Sequence, residues 1–361
     1  MKTFAPSFFV VLFPFAVCAQ GDLTPPAGVP AAGMKTLTQV EPRTPIPAGP
    51  AVPVAGPHFT ITAPGSYYLT GNITVAEGNA INITATDGGV SLDLNGYTIR
   101  STHASGSGSA IHIANTSNHT TIRNGHILGA TTYNGTNFVL KGFSGGIVAA
   151  TPSSGHQIHH VTVSGLAGPG ISVNFSSNVS HCIVKEVSGN GISAGVVTDS
   201  AAEVIGGTGI SGTTISNCNA SSMNTDSLAG ISGGTISNCT ASSKGGPGIT
   251  GAIIDGCTGS SNGSSSGLID KSYGLFASTS VSNSRGSSNY AWGIYCSNGN
   301  VTNSYGFSNN SSLGGGIFSP ANVSFSIGYC SGGTAISAFN AIGCSAVFGT
   351  VTATNKSLGT P

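Results

Sequence analysis

A four-residue unit recurs ten times between Val161 and Cys344, and its spacing constrains the chain more than any other feature. The copies begin at Val161, Val179, Val197, Ile215, Ile236, Ile254, Val281, Val301, Val323 and Ala341, so they lie 18, 18, 18, 21, 18, 27, 20, 22 and 18 residues apart. The first position is Val or Ile in nine copies, and the fourth is Ser or Cys in all ten. The third is Asp199, Asn217, Asn238, Gly256, Asn283, Asn303 or Gly343 in seven copies, residue types that tolerate left-handed backbone at a turn. A second column runs in step with the first, as Gly followed by an apolar residue from Gly146-Ile147 to Gly316-Ile317, and ends with Ala335-Ile336. Each repeat therefore holds at least two short strands joined at special turns. So small a unit cannot bury its own apolar side, and neighbours must stack to share an interior. The pattern predicts an all-β solenoid from residue 58 to the end, with about 13–14 coils of 18–22 residues, each rising about 4.8 Å. An 18-residue coil also fits three hexapeptides of a left-handed solenoid. Against that, Gly and Ile recur once per coil and the spacing stretches to 27, so the sides are unequal and the right-handed parallel β-helix is preferred.

Composition agrees. Only 6% of residues are Asp, Glu, Lys or Arg, against about a quarter in an average domain, so Ser, Thr, Asn and Gly must cover the surface. Eleven basic residues balance eleven acidic ones, which leaves no basic footprint for nucleic acid and no polybasic membrane patch. Lys2, the apolar run from Phe8 to Val17, and Ala19 before Gln20 predict a signal peptide over residues 1–19 and a secreted, periplasmic or cell-surface location. Cys18 as a lipidated cysteine is the alternative, disfavoured by Phe15 and Val17 at the preceding positions. No later stretch is apolar for long enough to form a transmembrane segment. Residues 20–57 are rich in Pro and Ala and read as a linker.

Several segments are similar to right-handed parallel β-helix repeat proteins of the pectate-lyase-like superfamily. Phe59-Thr60-Ile61 followed by Pro64-Gly65-Ser66-Tyr67-Tyr68-Leu69 resembles their first capping strands, and Leu92-Asp93-Leu94-Asn95-Gly96 their early coil motif. Met34-Lys35-Thr36-Leu37, Gln39, Val40-Glu41-Pro42-Arg43 and Pro45-Ile46 resemble the leader of an uncharacterised bacterial exported branch. The resemblance implies fold and export. It brings no activity, because a shared fold does not carry a shared function.

Polysaccharide lyases on such a fold need carboxylates clustered for calcium and an Arg or Lys that abstracts a proton beside the sugar carboxylate. Carboxylates are sparse in this chain. Glu186 and Glu203 fall at different offsets from their repeat serine or cysteine and should not stack, and Asp199 and Asp255 flank turns. Calcium enters only under a lyase reading. The dense polar chemistry lies between Arg100 and His181, where Arg123, His126, Lys141 and His159 are the candidates to bind an anionic sugar or act as base and acid. Solvated turn residues are the plainer reading of the same four. His159 and His160 are adjacent and, on a regular strand, would point to opposite faces, which argues against a zinc site; no metal is assigned. Asp93 reads as strand alternation ending in an Asn-Gly turn.

Seven cysteines lie beyond Cys18, and five of them, Cys182, Cys218, Cys239, Cys257 and Cys344, share the fourth repeat position with serines. Stacked neighbours would come within disulfide range, but interchange with Ser favours small-residue packing. The second repeat position is Ser or Thr in eight copies, from Thr162 and Ser180 to Ser324. Such an outward hydroxyl column could bond glycans or order water. Trp292 is the single tryptophan, and with Tyr290 and Tyr295 it marks a candidate ligand-binding spot. Two functional readings follow: a non-catalytic exported solenoid offering a carbohydrate-binding or structural surface to a polysaccharide or cell-surface glycan, or a polysaccharide lyase or glycoside hydrolase acting on an acidic polysaccharide.

Overall fold

The computed structural model describes residues 41–86, 89–263, 272–310 and 314–357. The chain divides into Met1–Pro42 and Arg43–Pro361, and every described strand lies in the second unit. The predicted signal peptide, Cys18 and the C-terminal Leu358–Pro361 lie outside the described residues.

Every regular element among the described residues is a β-strand. Thirty-two strands join one hydrogen-bonded network, and a two-stranded hairpin, Thr132–Tyr133 with Phe138–Val139, stands apart from it. Within the network each strand pairs in parallel with its counterpart one coil on, as Ile192–Ser193 pairs with the start of Ile210–Ser216 and that in turn with Ile231–Ser237. The fold is a right-handed parallel β-helix with three faces.

The first face carries the Gly–Ile column. Its inward position is occupied in fourteen successive levels by Phe59, Ile81, Ile111, Ile147, Ile171, Ile192, Ile210, Ile231, Ile249, Leu275, Ile294, Ile317, Ile336 and Val351. The twelve between Phe59 and Val351 are fully buried. Burial of one such side chain contributes about 1.5–3 kcal/mol, so the column ties each coil to the next. The second face carries the Val–Ser repeat, with Val179, Val197, Ile215, Ile236, Ile254, Val281, Val301 and Val323 stacked inward.

The turn that closes the second face has left-handed backbone, and all seven Asp, Asn and Gly residues singled out at the third repeat position have positive φ. His181 and Phe325 take the same conformation in two further copies. The remaining copy is out of register. Ile158, not Val161, aligns with Val179, so the left-handed residue of that coil is His160, and Thr162 belongs to the third face opposite Ile183.

The fourth position shows why Ser and Cys interchange. The Cys182 N–H donates to Ser200 Oγ at 3.2 Å, and the Ser200 hydroxyl donates to the Thr198 carbonyl at 2.7 Å. The N–H groups of Cys218, Cys239, Cys257, Ser284 and Ser304 each meet the Sγ or Oγ one coil on, at 3.1–3.4 Å. From Cys182 onward the side chain there is small and can both accept and donate; one coil earlier Val161 takes the position. All seven described cysteines are buried free thiols.

The third face narrows along the chain. Its inward residues run Ile99, Ile127, Val163, Val184, Ala202, Ala220, Ala241, then Gly259, Gly286, Gly306 and Gly328. A Cβ on Gly286 would lie 2.1 Å from the Gly293 carbonyl oxygen, and one on Gly306 2.1 Å from that of Gly316. In these coils the third face therefore packs backbone directly against the Gly–Ile corner. A second inward position follows the same trend, from Ile205 to Ser222, Ser243, Ser261, Ser288 and Ser308. Those serine hydroxyls donate to carbonyls of the facing corner, such as Gly207, Leu228 and Gly246, so the narrowed interior buries no unpaired hydroxyl there.

Part of the Pro/Ala-rich segment joins the solenoid. Thr44–Ile46 pairs with Gly65–Leu69, and Val54–Ala55 with Ile73–Glu77. Proline fits there because these outermost strands are paired with only one neighbour each and need not donate on the other side.

Gly286→Ala should destabilise the protein by about 1–3 kcal/mol through overpacking, whereas Ser287→Ala beside it on the outer surface should be near neutral. Thermal melts followed by circular dichroism check this; equal melting temperatures for the two variants would refute the backbone-on-backbone closure.

Candidate functional site

Two clusters emerge from this scaffold. The first lies on the outward row of the second face, where Tyr68, Asp93, Arg123, His159 and Ser180 occupy successive levels. Asp93 is buried at 8% exposure. Its Oδ2 lies 3.2 Å from Arg123 Nε and 3.6 Å from Arg43 Nη1, while Oδ1 accepts from the Asn95 N–H and from Asn124 Nδ2. Arg43 also lies over the Tyr68 ring, 4.7 Å from its centroid. The carboxylate is thus engaged on both oxygens. Asn95 and Gly96 both have positive φ, the tight turn that the Asn-Gly pair predicts.

His159 and His160 do not diverge as a regular strand would make them. The left-handed backbone at His160 folds its ring back, so the two Nδ1 atoms lie 3.2 Å apart. His160 in turn stacks on His181 one coil on, with centroids 4.9 Å apart and planes at 9°. Burial pushes the His159 pKa down, helped by His160, Arg123 and His181 and opposed by Asp93. Among the described residues no group of three or more His, Cys, Asp or Glu side chains is disposed to hold a metal ion.

The other two members of the predicted set stand apart. His126 follows the left-handed turn at Asn124 and lies on the third face, opposite Thr98 and Thr162. Lys141 follows the hairpin and is held by its backbone, whose N–H donates to Thr131 Oγ1 and whose carbonyl accepts from that hydroxyl. Arg123 and His159 meet; His126 and Lys141 do not join them. The carboxylates fall as their offsets predict, with Glu203 in register with Lys185 rather than Glu186.

The second cluster is a groove of about 590 Å³ along the Gly–Ile face. The outward row of that face runs Ser172, Ser193, Ser211, Ser232, Thr250 and then Phe276, Tyr295 and Phe318. Strand register stacks the rings: Phe276 and Tyr295 lie 5.8 Å apart with planes at 7°, and Tyr295 and Phe318 lie 4.6 Å apart at 13°. Tyr273 stacks on both Phe276 and Tyr295, and Trp292 packs on Phe318 at 5.5 Å. Ser232 and Thr250 continue the floor, and Thr208, Leu228, Ala229 and Pro247 contribute the walls.

No family model matches the sequence, and no curated protein matches it. Similar solved structures include two tailspike proteins. One is the Dettilon tailspike protein, with a TM-score of 0.39 and 10% identity over 82% of this chain and 60% of that one. The other is the enzymatically active domain of bacteriophage CBA120 tailspike protein 2, with a TM-score of 0.34 and 15% identity over 79% of this chain and 43% of that one. The chain thus spans less than two thirds of either.

Of the three predicted ligand-binding aromatics, Tyr295 lines the groove and Trp292 reaches its ladder through Phe318. Tyr290 is absent from the ring contacts of the described residues; its carbonyl accepts from Asn310 Nδ2. Sequence reasoning missed Tyr273, Phe276 and Phe318. The signal was present one residue beyond the Gly–apolar pair, in Gly274-Leu275-Phe276, Gly293-Ile294-Tyr295 and Gly316-Ile317-Phe318.

His156 provides a pH test of the N-terminal coils. It is fully buried, with Nε2 3.2 Å from Ser153 Oγ and Nδ1 accepting from the Thr120 N–H. Burial, aided by His119, lowers its pKa to about 4. The folded state thus favours neutral imidazole, a contribution intact above the unfolded value near 6.5 and lost as pH falls towards 4. Its size is at most about 3 kcal/mol. Urea unfolding between pH 7 and 4 should show stability falling with acid, and His156→Gln should flatten that slope; an unchanged slope would rule out His156 as its source.

Proposed function

We propose that this chain is an exported, non-catalytic β-helix that binds carbohydrate in the groove on its Gly–Ile face. The observation that carries the reading is the aromatic ladder of Phe276, Tyr295 and Phe318 opening onto a hydroxyl floor of Thr250 and Ser232. Sugars have apolar C–H faces and polar rims, and a surface that pairs rings with hydroxyls matches both. Tyr295 is stacked against Tyr273, Phe276 and Phe318 and offers mainly its edge and hydroxyl. Phe276, at the end of the ladder next to Thr250, marks where ring surface gives way to the polar floor. Export is supported by the leader sequence.

The enzymatic alternative needs Arg123, His126, Lys141 and a carboxylate in one cleft. The turn at Asn124 separates Arg123 from His126, and Asp93 is already paired with two arginines. The described lining of the groove has no Asp, Glu, His, Lys or Arg to serve as acid or base.

Isothermal titration against a polysaccharide panel should find a ligand whose affinity falls about three- to tenfold in Tyr295→Ala or Phe276→Ala and is unchanged in Arg123→Ala. Absorbance of unsaturated uronates and reducing-end assays should stay flat. Product that disappears in Arg123→Ala or Lys141→Ala would replace this reading with a lyase or hydrolase.

A further inference from the structure

The groove's chemistry also selects a class of carbohydrate, and the selection rests on the binding reading above. From Ser172 through Thr352 the outward row of the Gly–Ile face is hydroxyl or aromatic at ten successive levels, with no Asp, Glu, Lys or Arg. The described residues of the groove walls are equally uncharged, and Leu228, Ala229 and Pro247 make one side apolar. A uronate or sulfate seated there would lose hydration with no cation to replace it. A neutral sugar gives up only hydroxyl hydrogen bonds to water, which Ser232, Thr250 and Ser297 can replace.

Direction follows from register. Ser232, Thr250, Phe276 and Tyr295 sit in successive coils at the same position, so the groove runs along the solenoid axis. The lining, from Thr208 to Ser297, belongs to the five coils that begin at Thr208, Ala229, Pro247, Tyr273 and Trp292. Four steps of about 4.8 Å put roughly 19 Å between the first and last. Each step is close to the length of one pyranose unit in an extended chain. We infer that the groove takes an uncharged polysaccharide lying parallel to the axis, with successive sugars meeting successive coils.

The test titrates the purified full chain with soluble β-glucan, mannan and xyloglucan, and with the same polymers carboxylated at C6, at low and high NaCl. Oligosaccharides of two to eight units from whichever neutral polymer binds supply a length series. Support is Tyr295-dependent binding of a neutral polymer, at least tenfold weaker for its carboxylated form, insensitive to salt, and rising with length to a plateau near five units. Thr250→Lys, which places a cation on the floor, should shift preference towards the carboxylated form. Equal or tighter Tyr295-dependent binding of the carboxylated polymers would overturn the neutral class and leave carbohydrate binding standing. A plateau at one or two units would overturn the axial path. Absence of binding to every polymer in both forms would overturn the carbohydrate reading and this inference together.

Discussion

The parallel hydrogen-bonded ladder between coils is the constraint on which the rest of this structure depends. It puts each residue about one strand spacing from its counterpart in the next coil, so every position becomes a column and every column must tolerate its own repetition. Isoleucine repeats well because like aliphatic side chains pack on one another. Charge repeats badly: two like charges at that distance cost roughly 1 kcal/mol in water and several times that near a protein surface. The scarcity of charge is thus a consequence of the architecture. Where ionised side chains do fall in one column, signs alternate, as in Asp93 before Arg123 and Lys185 before Glu203. Where a lone carboxylate enters, neighbours donate to it: Asp255 accepts from the Ser282 hydroxyl and Asn283 Nδ2, and these bonds hold its carboxyl below the usual range.

Amides and hydroxyls suit columns because each can donate and accept along the axis. Asn300, Asn322, Asn340 and Asn355 form one such ladder, each side-chain amide donating to the oxygen one coil before. Asn303 donates likewise to Asn283. The Ser and Cys residues that close the second face work by the same rule through backbone N–H groups. Burial pushes the Cys182 thiol up to about 11, and the bond to Cys218 chiefly pushes Cys239 up to about 11, while that same bond holds Cys218 below the usual thiol value. Thiols as basic as Cys182 and Cys239 are poor nucleophiles for oxidation, which suits their role as Ser equivalents.

The groove arises from the same logic on the outer surface. A stacked column of serines changes to stacked aromatics over three coils, and the change of side chain at constant register turns a flat hydroxyl row into a ringed wall. The third face makes a parallel change, from Ser260 and Ser287 to Phe307, Tyr329 and Phe348. Inside that face the same coils shrink to glycine, and outside they carry large rings. Function on such a scaffold is written by what each column holds, because the backbone differs little from coil to coil.

Much of this was legible in the chain itself. Recurrence of Val–Ser and Gly–Ile units, and Asp, Asn or Gly at the turns, determined the solenoid, its inward columns and its left-handed corners, because these depend on local backbone preference and on period. The sequence did not determine where the first copy falls, since Val161-Thr162-Val163-Ser164 and Ile158-His159-His160-Val161 both fit the apolar spacing and only pairing with Val179 selects the second. The groove was only half legible: Phe276, Tyr295 and Phe318 each follow a Gly–apolar pair, but they are 19 and 23 residues apart, and insertions accommodated outside the ladder bring them into one stack. The tertiary structure likewise decided that Arg123 faces Asp93 while His126, three residues on, turns to another side. Periodicity fixes what repeats within a coil; which residues meet across coils is settled by hydrogen-bond register, and register follows from every turn length and bulge between them.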